Sequence, residues 1–464
     1  MDAQTKENLI LKTFAAPSLK FYLALGATTG GVLWFVYAWS FALGNGLITT
    51  SLADWGPGGG SPWGLFIGAY IWWIGIAHGG IIISAAVRLF DLTTFRPVAR
   101  MAELLTLFAL SMAALFIVFH LGRPDRMVIS ILQAYPWTVF SSPLAWDVTV
   151  ITLYFVLTAT YILLTIRRDL YVIRSKVPVF LAPVYDLLLM GYHPEQDEKT
   201  DKMVWWLALC VIILAPLFLH GGVIPWLFAV VPTMPGFFGG IQGPTFLSIA
   251  LTSALSGVIV VAYLFRRIYG WHELLPDAVF NRLTFFLIIM GILFLWLQIQ
   301  VILTGLYASP VSLNAVVHHK VETPLYWLAI AMVVGSLAYL GAQRIWPSLF
   351  NIHRTAIAAL FPLLGTLLEK TLFVVEGLMQ PEFSLYRAVP GAYWPSWIEV
   401  SSVIGTVCVV VLLFTVIGKV VPVIEISEEE EPGDVVRASE AAPPPPPASI
   451  RKARRRDRDL LPGP

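Results

Sequence analysis

His120 and Asp147 are the residues whose types and spacing most suggest chemistry. His120 ends a long apolar run in "IVFHLGRPDRM" (Ile117–Met127), and Arg123, Asp125 and Arg126 follow within six positions. Asp147 closes "SSPLAWD", where Ser142 and Pro143 have the form of a helix N-cap and first turn. If the two apolar runs pack antiparallel, imidazole and carboxylate reach one depth and face one cavity. Histidine titrates near neutrality, and an adjacent carboxylate can hold its proton. Such a pair suits the removal of protons from a hydroxyl while electrons go elsewhere. A helix-end histidine bonded to interfacial water, with Asp147 favouring a helix N-terminus, accounts for the same residues equally well.

Other polar residues sit in apolar surroundings and each needs a reason. His78 in "WWIGIAHGGIIISAA", Glu103 in "ARMAELLTL" and the interspersed Ser84, Thr106 and Ser111 could form a proton path from the inner face towards the bilayer centre. Alternatively, Gly75, Gly79 and Gly80 allow close helix packing and His78 bonds across it. In "LEKTLFVVEG", Glu369 and Lys370 point about 100° apart on a helix and need not pair with each other. They and Glu376 read as a structural ion cluster, with a second proton route as the rival. "HHK" (318–320) could bind a metal, but no clustered Cys, Asp or Glu completes a site, so a loop is expected. Gln298 and Gln300 have no assigned role. Arg123 and Arg126 could steady a ligand oxygen or anchor at lipid phosphate.

The elements that position these residues follow from composition. The chain has 464 residues, 57% hydrophobic and 13% charged, against about a quarter charged in soluble proteins. Most of the surface therefore faces lipid, and the net charge of +1 offers nothing to nucleic acid. Ten runs are long enough to cross a bilayer: about 20–43, 63–88, 99–121, 143–166, 204–229, 244–266, 280–306, 324–343, 356–378 and 396–421. The expected fold is an all-α integral membrane protein with ten transmembrane helices. "AHGGIII" and "LHGGVI" hint at duplication, with spans two to nine as two four-helix bundles and two extra helices beside them.

Basic residues fix the expected orientation. With both termini cytoplasmic, Arg88, Arg100, Arg167, Arg354 and most others fall in inner loops, and only Arg123, Arg126, Lys320 and Arg387 fall outside. Residues 1–19 form a polar leader, and the inner loop 167–203 is long and polar. Residues 422–464, with "EEEE", "PPPPP" and "RKARRRDR", are expected to be a disordered tail. Cys210 and Cys408 are isolated, so the chain is expected to carry no iron–sulfur cluster and no covalent haem. They read as buried packing residues. His78 lies in the inner half of its span and His120 and His220 lie outward, so no haem b pairing is expected either.

"WWIGIAHGGIIISAAVRLF", "RMAELLTLFAL", "FHLGRPDR" and "FSSPLAWDV" resemble the NrfD-like (polysulfide reductase membrane subunit) family, most of all the ActC branch of bacterial alternative complex III. The resemblance implies a subunit of the bacterial inner membrane that binds quinol or menaquinol near the periplasmic face. An iron–sulfur subunit over the pocket takes the electrons, haem c subunits carry them onward, and the complex also holds a second NrfD-like membrane subunit. It places His120 and Asp147 at the quinol pocket as catalytic residues, with Arg123 beside them. His78, Glu103 and Ser84 fall on a proton path, and coupling to proton translocation is an open expectation. The chief alternative is the membrane anchor of a molybdenum reductase such as polysulfide reductase. A secondary transporter is the rival from another class, but transporters carry their sites on broken helices at the midplane, whereas here the strongest polar pair is at one interface.

Overall fold

Lipid offers no partner to backbone N–H and C=O groups, so each apolar run closes its hydrogen bonds within a helix. The computed structural model describes residues 3–14, 19–50, 63–120, 124–127, 129, 133–138, 141–214, 223–231, 233–307, 311–380 and 393–426. Its long helices are α1 (Leu19–Asn45), α2 (Leu65–Leu89), α3 (Arg96–His120), α4 (Pro143–Ile173), α5 (Asp197–Leu214), α6 (Gln242–Tyr269), α7 (Asp277–Leu306), α8 (Pro324–Ile345), α9 (Ile352–Met379) and α10 (Trp397–Ile417). The chain is an all-α integral membrane protein. Among the described residues nine helices are long and apolar enough to cross a bilayer. The other, α5, opens on "DEKTDK", and its apolar part runs on towards residues 215–222, outside the described set.

Helix packing divides the described chain into two bundles and a pair. α2, α3, α4 and α5 pack together, α6, α7, α8 and α9 do the same, and α1 lies along α10. The bundles meet where α2 packs on α6 and α9. That makes α2 the most enclosed span, with 89% of its apolar window buried. Small residues permit this approach: a β-carbon on Gly79 would collide with Ala250 and Ala254 of α6, and one on Gly80 with Ala102 and Thr106 of α3. Gly79→Val is accordingly expected to lower stability by ~1–3 kcal/mol through overpacking. Gly26→Ala on α1, where nothing stands within 4 Å, should be neutral; thermal unfolding in detergent compares the two.

Local chemistry fixes the helix ends. Asn351 caps α9 by accepting from the backbone N–H groups of His353 and Arg354. Ser396 and Glu399 form a capping box at the start of α10. Tyr393 joins that end to α2, donating to Glu399 at 2.6 Å and accepting the Leu65 N–H at 2.7 Å. Burial, then the Glu399 carboxylate, raise the Tyr393 phenol well above its ordinary range, so it remains a donor. Inside α9, Pro362 has no N–H to give the Ala358 carbonyl. The Ser336 hydroxyl of α8 donates to that carbonyl at 2.7 Å instead.

Several expectations are corrected. α4 continues to Ile173, seven residues past its expected end at 166, so Asp169 is a buried helical residue rather than part of a loop. The leader forms a helix, Ala3–Leu11, whose Leu9 carbonyl accepts from Trp271 at 3.2 Å. The expected tail begins too early: Val423, Ile424 and Ile426 are buried against the bundle. Residues 427–464 lie outside the described set. "HHK" belongs to a helix, Val311–Glu322, rather than a loop. Cys210 is exposed, since it lies on an outward face of α5, and Cys408 is half-buried where α10 meets Gly31 of α1. Of the two His-Gly-Gly copies, residues 220–222 are outside the described set.

Candidate functional site

One stripe of α4 organises the polar interior of the first bundle. Asp147, Tyr154, Thr158, Tyr161, Thr165 and Asp169 follow at steps of seven, four, three, four and four residues, which keeps them on one helix face. α2 and α3 supply the facing groups. The resulting file runs from the Asp147 end of the bundle to the arginine-rich end.

At the first end, Asp147 is 1% exposed and accepts a hydrogen bond from the Tyr70 hydroxyl of α2. Its other oxygen, Oδ1, is buried with no hydrogen-bond partner among the described residues. His120, half-buried at the last position of α3, places Nδ1 3.1 Å from the Phe116 carbonyl. A carbonyl can only accept, so Nδ1 carries the proton there and Nε2 is left as the acceptor of the neutral ring. No hydrogen bond joins His120 to Asp147. The sequence puts them at adjacent helix ends, but the partner of Asp147 is Tyr70, which sequence reasoning missed. Arg123 lies outside the described residues.

In the middle, His78 is fully buried and its ring meets Tyr154 edge-on, with centroids 4.8 Å apart. The Tyr154 and Thr158 hydroxyls are buried without partners among the described residues.

At the arginine-rich end the groups close into a cluster. Ser84 donates to Glu103 Oε1 at 2.6 Å, and the Tyr161 hydroxyl stands 3.5 Å from Ser84 Oγ. Thr165 donates to the second Glu103 oxygen at 3.4 Å. Arg88 is 3.6 Å from Glu103 and pairs with Glu425. Arg100 pairs with Asp169, both 1% exposed, donates to the Thr165 carbonyl at 3.0 Å and lies 3.7 Å from Glu425. The Ile426 N–H donates to Asp169 Oδ1 at 3.2 Å. Ser84 and Glu103 thus meet directly. Arg88, Arg100, Asp169 and Glu425 were read only as loop or tail residues. The α4 stripe was legible as a helical period; the one clue to Glu425 was the apolar "VPVI" just before it.

The second bundle holds a separate ionic cluster. Gln298 donates to Glu369 at 2.9 Å, Tyr326 donates to Gln298 at 3.2 Å, and Lys320 donates to Gln298 at 3.3 Å. Lys370 lies 3.4 Å from Glu369, so these neighbours do pair despite their 100° offset, and its Nζ sits 3.5 Å from the Phe246 ring centroid. The flexible lysine stem bends back to reach its neighbour. Glu376 is buried further along α9. Mutual pairing favours a structural role for Glu369 and Lys370.

Comparison with known proteins adds a family profile and three relatives. The profile of the NrfD family, polysulphide reductase, matches residues 57–382. That range starts just before α2 and ends just after α9, so it takes in both bundles and leaves out α1 and α10. A Halobacterium salinarum protein named as a dimethyl sulfoxide reductase membrane subunit is 29% identical over 260 residues, 55% of each chain. The chain therefore spans only about half the length of that relative. A selenate reductase subunit of Mesobacillus selenatarsenatis is 25% identical over 387 residues, 80% of this chain and 88% of that one. The Hdr-like menaquinol oxidoreductase integral membrane subunit of Archaeoglobus fulgidus is 21% identical over 369 residues, covering 76% and 83%.

Proposed function

This chain belongs to the polysulphide reductase NrfD family, and from that premise we propose that it is the membrane subunit through which a reductase complex exchanges electrons and protons with a quinol. Two relatives carry the names of dimethyl sulfoxide and selenate reductase subunits, which supports a partner of the molybdenum-reductase kind. The observation that carries the reading is the buried Tyr70–Asp147 bond beside the end of α3, within the matched range.

Quinol oxidation releases two electrons and two protons. The electrons pass to an iron–sulfur group in a partner protein, and this chain handles the organic ring and the protons. His120 Nε2 accepts one hydroxyl proton, and Asp147 Oδ1 accepts the second or orients the ring. Tyr70 holds the other Asp147 oxygen, which fixes the carboxylate. Arg123 sets the potential of the pocket. His78, Tyr154, Tyr161, Ser84 and Glu103 carry protons between this pocket and the arginine-rich side. The cluster there combines two guanidinium groups, Arg88 and Arg100, with three carboxyls, Glu103, Asp169 and Glu425. One carboxyl is in excess of the cations, a suitable place to hold a proton.

A second reading is a subunit of alternative complex III, favoured by the residues of spans two to four and by a relative named as a menaquinol oxidoreductase subunit. Purification through a tag on this chain separates the two. Molybdenum in the complex supports the first reading, and c-type haem absorbance supports the second. Loss of quinol-dependent reduction in His120→Ala is the expected result for either; normal reduction would remove the site. Glu103→Gln is expected to keep quinol affinity while changing proton uptake in vesicles. An unchanged proton-to-electron ratio would leave Glu103 as packing.

A further inference from the structure

The lipid-facing side of the second bundle carries a groove between α8 and α9. Its volume is about 570 Å³, and Leu328, Met332, Gly335, Tyr339, Ile357 and Phe361 form most of its wall. From Leu328 to Tyr339 the wall rises about 16 Å along α8. The hydrocarbon core is about 30 Å thick, so the groove has the length of one leaflet and not of a spanning partner helix.

The polar groups are gathered at one end. Arg354, in the first turn of α9, lines the groove there. Asn351 engages only its backbone N–H, and no carboxylate pairs with its guanidinium among the described residues. Arg344 lies at the same end of α8, where it donates to the Asn281 carbonyl at 2.9 Å and covers the Phe285 ring at 4.6 Å. The nearby acid Asp277 is taken by Arg266 at 2.6 Å. Ser336 is committed to the Ala358 carbonyl, but the Tyr339 hydroxyl is buried with no partner among the described residues.

We propose that this groove binds one anionic phospholipid of the arginine-side leaflet. One acyl chain lies along Gly335, Ile357 and Phe361, and the phosphate meets Arg354. A guanidinium suits this contact because its planar fork matches phosphate oxygens. Its position at headgroup depth, beside Arg344 and without a neutralising acid, selects lipids of net negative charge. The occupant is a lipid rather than a protein segment, because the wall is apolar for one leaflet and cationic only where headgroups lie.

The test is lipid extraction and mass spectrometry on the intact complex, purified by gentle detergent from membranes containing phosphatidylglycerol and phosphatidylethanolamine. The wild-type complex is expected to retain phosphatidylglycerol in excess over its membrane fraction. Arg354→Glu should lower that retention about tenfold, since an attractive charge-assisted contact becomes repulsive. Arg354→Lys should keep part of it. A β-carbon at Gly335 meets nothing within 4 Å, so Gly335→Phe can start from an unstrained backbone, fill the groove with its ring and remove the lipid while both arginines remain. Equal retention in wild type and Arg354→Glu overturns the proposal. So does loss of an isoprenoid quinone instead of phospholipid in Gly335→Phe, or enrichment of phosphatidylethanolamine alone.

Discussion

Asp147→Asn is expected to lower quinol-dependent turnover of the assembled complex by about 10²- to 10⁴-fold, the loss typical of a removed proton acceptor. Asparagine keeps the shape and can still accept from Tyr70, so the effect isolates the carboxylate's charge and basicity. Asp147 is 1% exposed with one oxygen held by Tyr70 and the other without a partner among the described residues. That second oxygen is the reacting one in the proposed role. Tyr70→Phe removes the positioning bond and leaves the carboxylate, so it should cost less than Asp147→Asn and fall mainly on kcat. Turnover near the wild-type level in Asp147→Asn, measured with a complex of normal composition, would end the assignment.

The second large effect concerns stability. Asp169→Ala is expected to destabilise the protein by ~3–5 kcal/mol, because it strands a buried guanidinium. Arg100 and Asp169 are each 1% exposed, and the next carboxylate, Glu425, is 3.7 Å away. Asp169 also binds the Ile426 N–H, so its loss removes one of the contacts that hold residues 421–426 on the bundle as well. Replacing the pair together, Arg100→Met with Asp169→Leu, should recover the part of that loss due to the stranded guanidinium, but not the part due to the Ile426 N–H bond. Thermal unfolding and protease sensitivity near residue 426 measure both. A single mutant as stable as the wild type would mean the pair is solvated and contributes little.

Glu425 adds a finer point. It is 19% exposed and shares Arg88 with Glu103. A segment first read as tail therefore covers the arginine-rich mouth of the proposed proton file. Its apolar flanks, Val423, Ile424 and Ile426, seat it.

Much of this was legible along the chain. Apolar run length set the helices, because lipid is the solvent for each run and backbone satisfaction is local. "SSPLAWD" marked the start of α4, and the polar residues inside the apolar runs of α2, α3 and α9 marked those that need partners. The sequence alone thus determined a bundle of membrane helices and singled out His78, Ser84, Glu103, His120 and Asp147 as polar residues that need partners.

Only tertiary structure decided who meets whom. Asp147 bonds Tyr70, 77 residues away, and Asp169 bonds Ile426, 257 residues away. Glu369 is reached by Gln298 from α7, and the α8–α9 groove exists only between two helices. Hydropathy has no term for these choices, since every lipid-compatible rotation of a helix satisfies it equally. The rotation is set by close contacts such as Gly79 on α6 and Gly80 on α3, where missing side chains let backbones approach. Those contacts fix the register at which polar groups on separate helices come into range.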